Sequence, residues 1–185
     1  MKTAFSRTLR GLIVLLAVAS LAACASGARS GAMTTSVDPT HLIEATSPLY
    51  MASKVDAVRG GSETNPLWKS NVSNEDFRTA LEQSLKLNTL LADTNARYRI
   101  DVTLIDLDQP FAGFNITVGA RVRYVVTPMA GGAAVFDREI DSSYTAKFGD
   151  ALVAIERLRL ANEGAIRTNI ADFIKVFTAS GAPVS

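Results

Sequence analysis

Between residues 98 and 146 the chain alternates apolar and polar side chains, and the stretches on either side space their apolar residues three or four apart. Alternation puts every second side chain on one face of a strand, and the longer step keeps them on one face of a helix. The clearest strand is 98–104, with Tyr98, Ile100, Val102 and Leu104 on one face. A second is expected over 114–127, with Phe114, Ile116, Val118, Ala120, Val122, Tyr124 and Val126 facing in and Asn115, Thr117, Arg121 and Arg123 facing out. A third spans 135–146, with Phe136, Ile140 and Tyr144 inward. Arg138 shares that inward parity and reads as an edge residue whose charge snorkels to water. An earlier strand is expected over 49–58, on the parity of Leu49, Met51, Val55 and Ala57.

Two helices complete the pattern. Ser73 and Asp76 form a capping-box-like pair, and Glu75 and Asp76 suit the positive end of the helix dipole. Phe77, Ala80, Leu81, Leu85 and Leu91 then share a face, and the Asp93-Thr94-Asn95 turn ends the helix near Ala92. A longer helix is expected from Asp150 to Thr178, with Leu152, Ile155, Leu158, Ala165, Ile166, Ile170, Phe173, Ile174 and Phe177 as its stripe. Arg159, Glu163 and Arg167 fall at salt-bridge spacing on its solvent side. Gly164 costs about 1 kcal/mol against alanine in such a helix, and a close approach to the sheet explains it. A hairpin around Gly131 that pairs Val126 with Phe136 sets Arg123 opposite Glu139 and Arg121 opposite Asp141. Such pairs fix the register and give both arginines a structural rather than a phosphate-binding role.

The order is strand, helix, three strands, helix. It predicts an α+β two-layer sandwich, with a mostly antiparallel sheet and two helices on one face. The first two strands, joined through a helix, can be parallel neighbours in a right-handed crossover.

The first residues are different in kind. Lys2, Arg7 and Arg10 precede an apolar run over 12–19, the layout of a secretory signal. The run is shorter than the roughly 20 residues of a membrane-spanning helix. It ends in Leu21-Ala22-Ala23-Cys24, which contains the only cysteine. This tetrad resembles the lipobox of bacterial lipoproteins. The resemblance implies that the Cys24 sulfur receives a diacylglycerol and that a signal peptidase recognises Leu21, Ala22 and Ala23 and cuts before Cys24. Ala25 resembles an outer-membrane address. The expected organisation is a signal peptide over 1–23, a lipidated flexible tether over 24–48, one domain over 49–180 and a disordered tail over 181–185.

Composition then narrows the chemistry. Nineteen basic side chains, less the three in the signal, leave sixteen against eighteen acidic ones, so no basic footprint for nucleic acid remains. The single histidine, His41, and the absence of a free thiol leave no usual zinc site and no Ser-His-Asp or Cys-His set. Gly60-Gly61-Ser62 lacks the Gly-Lys-Ser/Thr ending of a phosphate loop. Asp101, Asp106 and Asp108 lack the spacing of an EF-hand. No catalytic residue, cofactor or metal is expected, apart from the covalent lipid on Cys24.

The tetrad at 21–24, the element order over 49–178 and the Phe136-Asp137-Arg138 stretch before the last helix resemble the YajG-type bacterial lipoproteins. More distantly, the order is similar to LpoB, to the N-terminal domain of TolB and to auxiliary lipoproteins of lipid-transporting ABC systems. The resemblance implies a non-enzymatic module, anchored to the outer membrane and facing the periplasm, that binds or assembles other envelope proteins. A lipid-handling accessory, holding acyl chains between the long helix and the sheet, is the alternative; an enzyme using lysine or carboxylates is the third. Candidate partner-binding residues are Trp68, either a lid on the core or an exposed anchor, and Pro110 with Phe111 at a hairpin tip. The sheet edges offer strand addition.

Overall fold

A computed structural model of the chain describes residues 26–35, 43–65 and 69–180. Leu21, Ala22, Ala23, Cys24, Trp68 and the 181–185 tail lie outside the described residues. The elements are α1 (Ser30–Met33), β1 (Ser53–Arg59), α2 (Asn74–Leu87), β2 (Tyr98–Asp108), β3 (Ile116–Pro128), β4 (Phe136–Ala146) and α3 (Ala154–Ala179), with a 3-10 turn at Phe148–Asp150. The four strands lie in sequence order in one sheet, with β1 parallel to β2 and the other pairs antiparallel. This is the expected α+β two-layer sandwich. α2 packs on β1, and α3 on β3 and β4. The helix-covered face carries Ile100, Val102, Leu104, Val118, Val122 and Tyr124, all buried, while Arg99, Thr103, Arg121 and Arg123 look out from the open face.

An aromatic stack fills the space between α3 and the sheet. The Tyr124 ring lies 4.0 Å from Phe173 at an interplanar angle of 3°, Phe173 stacks on Phe177, and Phe136 meets both edge-on. The Tyr124 hydroxyl donates to Asn169 Oδ1 at 2.9 Å, which satisfies the one polar atom such a ring buries. Gly164 sits where expected: a Cβ there would lie 2.2 Å from the Tyr144 ring. No side chain fits that crossing.

The hairpin has the expected register, Val126 opposite Phe136, Arg123 opposite Glu139 and Arg121 opposite Asp141. Arg121 bonds Asp141 at 2.7 Å. Arg123 instead turns diagonally and grips Asp137 with Nε and Nη2 at 2.8 and 2.7 Å. A guanidinium fork matches a carboxylate two bonds at a time, and the diagonal neighbour offers that fit. Arg123 thereby holds the Asp137 carboxyl below the usual carboxylate range. Arg138 stays exposed at the sheet edge, 6.0 Å over the Phe136 ring.

Several boundaries differ from the sequence expectation. β1 begins at Ser53 rather than Leu49, because residues 48–51 turn and Met51 has a φ of 43°. A bulge between Val55 and Ala57 then moves Val58, not Ala57, into the core. α2 starts with Ser73 accepting from Asp76 N, as predicted, but stops at Leu87, and a left-handed Thr89 brings Leu90 into the core. β2 continues to Asp108 through a second bulge between Leu104 and Asp106. The bulge hides the continuation from simple alternation.

Part of the stretch read from the sequence as tether lies among the described residues. Residues 26–35 pack on the domain, with Ala28 and Met33 buried. The Glu163 carboxylate accepts the Arg29 backbone N–H and Nε–H, both at 3.0 Å, and Arg167 Nη1 donates to Ala32 O at 2.9 Å. Small residues let this segment lie flat on α3, and two long-range charged groups fix it there.

Candidate functional site

Strand directions bring three connections to one end of the sandwich. β1 and β2 both finish there, β3 starts there, β4 finishes there, and α2 and α3 begin there. The loops over 60–73, 109–115 and 147–153 therefore meet. Two of them expose large apolar side chains: Phe111 is fully exposed, Phe114 80%, Leu152 79%, Val153 50% and Phe148 45%. Such residues are unremarkable singly, but several at one end mark a surface with a use.

Buried polar groups of α3 hold this end together. Arg157, 4% exposed, lies in its first turns. Its Nη1 donates to the carbonyls of Ala151 and Leu152 at 2.7 and 2.9 Å, and its Nη2 reaches Gly113 O at 3.3 Å. The guanidinium also lies 5.1 Å from the Phe148 ring centroid, a cation–π distance. Phe148 in turn meets Phe114 edge-on at 5.8 Å, and its N–H donates to Asn115 Oδ1 at 3.1 Å. Further along α3, Asn162 Nδ2 donates to Ser70 O at 2.9 Å. Gln109 Nε2 donates to the same carbonyl at 2.9 Å and to Asn162 Oδ1 at 2.7 Å. One helix thus bolts down all three loops.

The N-terminal segment joins the same group. Ser70 Oγ donates to Ser26 O at 2.8 Å, and Ala28 N–H donates to Asn71 O at 3.0 Å. Arg29 then reaches Glu163, which also accepts from Arg159 Nη1 at 2.8 Å.

Of the residues singled out in the sequence, Pro110 and Phe111 lie at this end, Phe111 exposed as expected and Pro110 half-buried. Two residues assigned to the core belong here instead. Phe114 precedes the start of β3 at Ile116, so its parity never acts. Leu152 precedes α3, which starts at Ala154 because the Asp150 carboxylate caps the 3-10 turn by accepting from Lys147 N–H at 2.8 Å. Glu163, expected on the solvent side, is only 2% exposed. No local signal marks it, since its partner Arg29 lies 134 positions earlier.

Four polar side chains of α3 are committed to structure. Arg157, Asn162, Glu163 and Asn169 are buried, and each bonds backbone or a neighbouring side chain. Among the described residues no three His, Cys, Asp or Glu side chains gather as metal ligands. The helix–sheet interface, where acyl chains would lie in a lipid carrier, is occupied by the aromatic stack. A depression of about 220 Å³ beside Gly60, Ser62, Lys69, Asn71 and Leu104 is mostly polar-walled. The sheet edges are poor templates for strand addition. Asp137, Arg138, Glu139 and Asp141 crowd charge along β4, and Arg78 takes the carbonyls of Val55 and Asp56 on β1 at 3.3 and 3.1 Å.

No family model and no curated protein matches the chain. Among solved structures it is similar to protein XCC0632 from Xanthomonas campestris, family model DUF330, with a TM-score of 0.54 and 8% identity over 80% of this chain and 92% of that one. It is also similar to a putative lipoprotein from Caulobacter crescentus, with a TM-score of 0.47 and 15% identity over 70% of this chain and 93% of that one. At such identities the likeness is one of fold. Among the described residues no helix is long and apolar enough to cross a membrane.

Proposed function

We propose that the chain is a lipid-anchored lipoprotein of the outer membrane whose domain faces the periplasm and acts as a non-enzymatic binding or assembly module for an envelope complex. The observation that carries this reading is a division of labour. Arg157, Asn162, Glu163 and Asn169 are turned inward and spent on the fold, while large apolar side chains are presented outward at the end where the chain arrives from Cys24. The signal-like residues before Cys24 and the lipobox-like Leu21-Ala22-Ala23-Cys24 supply the anchor. Two or more acyl chains hold a protein stably where one does not.

The test is the intact mass of the protein isolated from membranes, followed by in-cell crosslinking of the lipidated form. A chain beginning at Cys24 and carrying a diacylglyceryl group, crosslinked to subunits of one envelope machine, supports the reading. An unmodified cysteine with an uncleaved N-terminus overturns the anchor. Crosslinks only to abundant neighbours overturn the assembly role.

A further inference from the structure

The fold fixes where the chain leaves the domain toward its N-terminus. Ser26 O is bonded to Ser70 Oγ, and Ser70 O is shared by Gln109 and Asn162. Gln109 opens the loop that carries Phe111. Ser70 therefore links the N-terminal segment, bonded through its hydroxyl, to the loop that carries the exposed aromatic tip, bonded through its carbonyl. The Arg29–Glu163 and Arg167–Ala32 bonds seat this exit on α3. Cys24 lies two residues before Ser26, and two residues of extended chain span at most about 7 Å.

We propose that the apolar end formed by Phe111, Phe114, Phe148, Leu152 and Val153 docks into the lipid surface that holds the acyl chains of Cys24. The proposal rests on the lipoprotein reading above. Chain length makes it specific: an anchor this close to the loops brings them to the bilayer whether or not they bind it, and the residues they present are phenylalanine, leucine and valine. The charges around the end are of both signs, with Lys69 and Lys147 against Asp108 and Asp150, all exposed. Docking therefore depends on apolar area and not on anionic lipid. Anchor and loops act together, since tethering turns weak insertion into an intramolecular event. The anchor gives residence and the loops give orientation. The turn over 88–97 then points away from the membrane, and the open sheet face, with its Arg121–Asp141 and Arg123–Asp137 pairs, stands free at the side for a protein.

The experiment uses the full-length chain, purified in its lipidated form and reconstituted in phosphatidylcholine vesicles. Intact mass first reports the lipid on Cys24; its absence overturns the lipoprotein reading, and the docking proposal falls with it. A cysteine then replaces Phe111, Leu152 or the exposed Thr94 one at a time and receives a spin label, Cys24 being blocked by its thioether. Labels at 111 and 152 should collide with dissolved oxygen several-fold more than with a water-soluble nickel chelate. The label at 94 should show the reverse. Added anionic lipid or salt should leave the pattern unchanged. Lipid on Cys24 with water-exposed labels at 111 and 152 overturns docking and leaves the lipoprotein reading standing. Labels exposed in vesicles but shielded in native outer membrane also overturn it, and make the end a seat for a protein partner.

Discussion

The buried Glu163 carboxylate holds Arg29 by its backbone N–H and its side chain at once, across 134 positions of sequence. The Arg29 side chain is itself 64% exposed, whereas the carboxylate is 2% exposed. Glu163→Gln removes the charge and points an amide donor toward two arginines. Losing hydrogen bonds to a charged group should lower unfolding free energy by about 1.5–3 kcal/mol. Hydrogen exchange should show the amides of Ala28, Met33 and Thr34 losing protection before those of β3. Unchanged protection at 28–34 would show that packing of Met33 alone seats the segment.

Gly164→Ala tests the helix–sheet crossing. The added methyl meets the Tyr144 ring, and overpacking of this kind costs about 1–3 kcal/mol. In a Tyr144→Ala background the obstacle is gone. Alanine's helical preference should then stabilise by up to about 1 kcal/mol, reversing the sign. Chemical denaturation of the four variants reads the cycle, and the same sign in both backgrounds refutes the crossing as the reason for glycine.

Arg157 should matter more to the loops than its place on α3 suggests. Arg157→Met leaves the carbonyls of Gly113, Ala151 and Leu152 without their donor. We expect a loss of about 2–3 kcal/mol and faster amide exchange over 111–115 and 147–153. Arg157→Lys keeps the charge but not the fork, and should recover only part of the loss. Full recovery by lysine would mean that charge, not geometry, holds the end.

Tyr124 sets an alkaline limit. Burial pushes its phenol well above the ordinary range, and the nearby Asp172 charge adds to this. Below the unfolded value of about 10 both states keep the proton and the contribution is full. Above it the unfolded chain ionises first, so this stability is lost as pH rises toward the folded value. Tyr124→Phe should be less stable by about 1 kcal/mol at neutral pH, since Asn169 Oδ1 loses its donor. It should also show a shallower decline in urea unfolding between about pH 8 and about pH 11. Equal alkaline slopes in the two proteins would exclude Tyr124 as the source.

The sheet was legible in the sequence wherever its parity ran unbroken. The whole β3–β4 register follows from Val126 opposite Phe136, because a one-residue slip would turn every core side chain outward. Legibility ended where parity was interrupted. The bulges in β1 and β2 each insert a residue, which shifts Ala57 out of the core and conceals the last residues of β2. Phe114 and Leu152 have suitable spacing but stand just before their elements begin. The exposure of Phe111 was legible because Pro110 breaks the pattern beside it. The packing of 26–35 was not legible, because a Ser/Gly/Ala-rich stretch has the composition of a linker and its partners, Glu163 and Arg167, are remote.

That remoteness also sets an order of events. α3 is the last large element to be synthesised, and the seat for residues 26–35 does not exist until Glu163 and Arg167 have emerged. Residues 26–35 therefore take their place on the domain only once the last helix has formed, so the first described segment of the chain is among the last to be fixed.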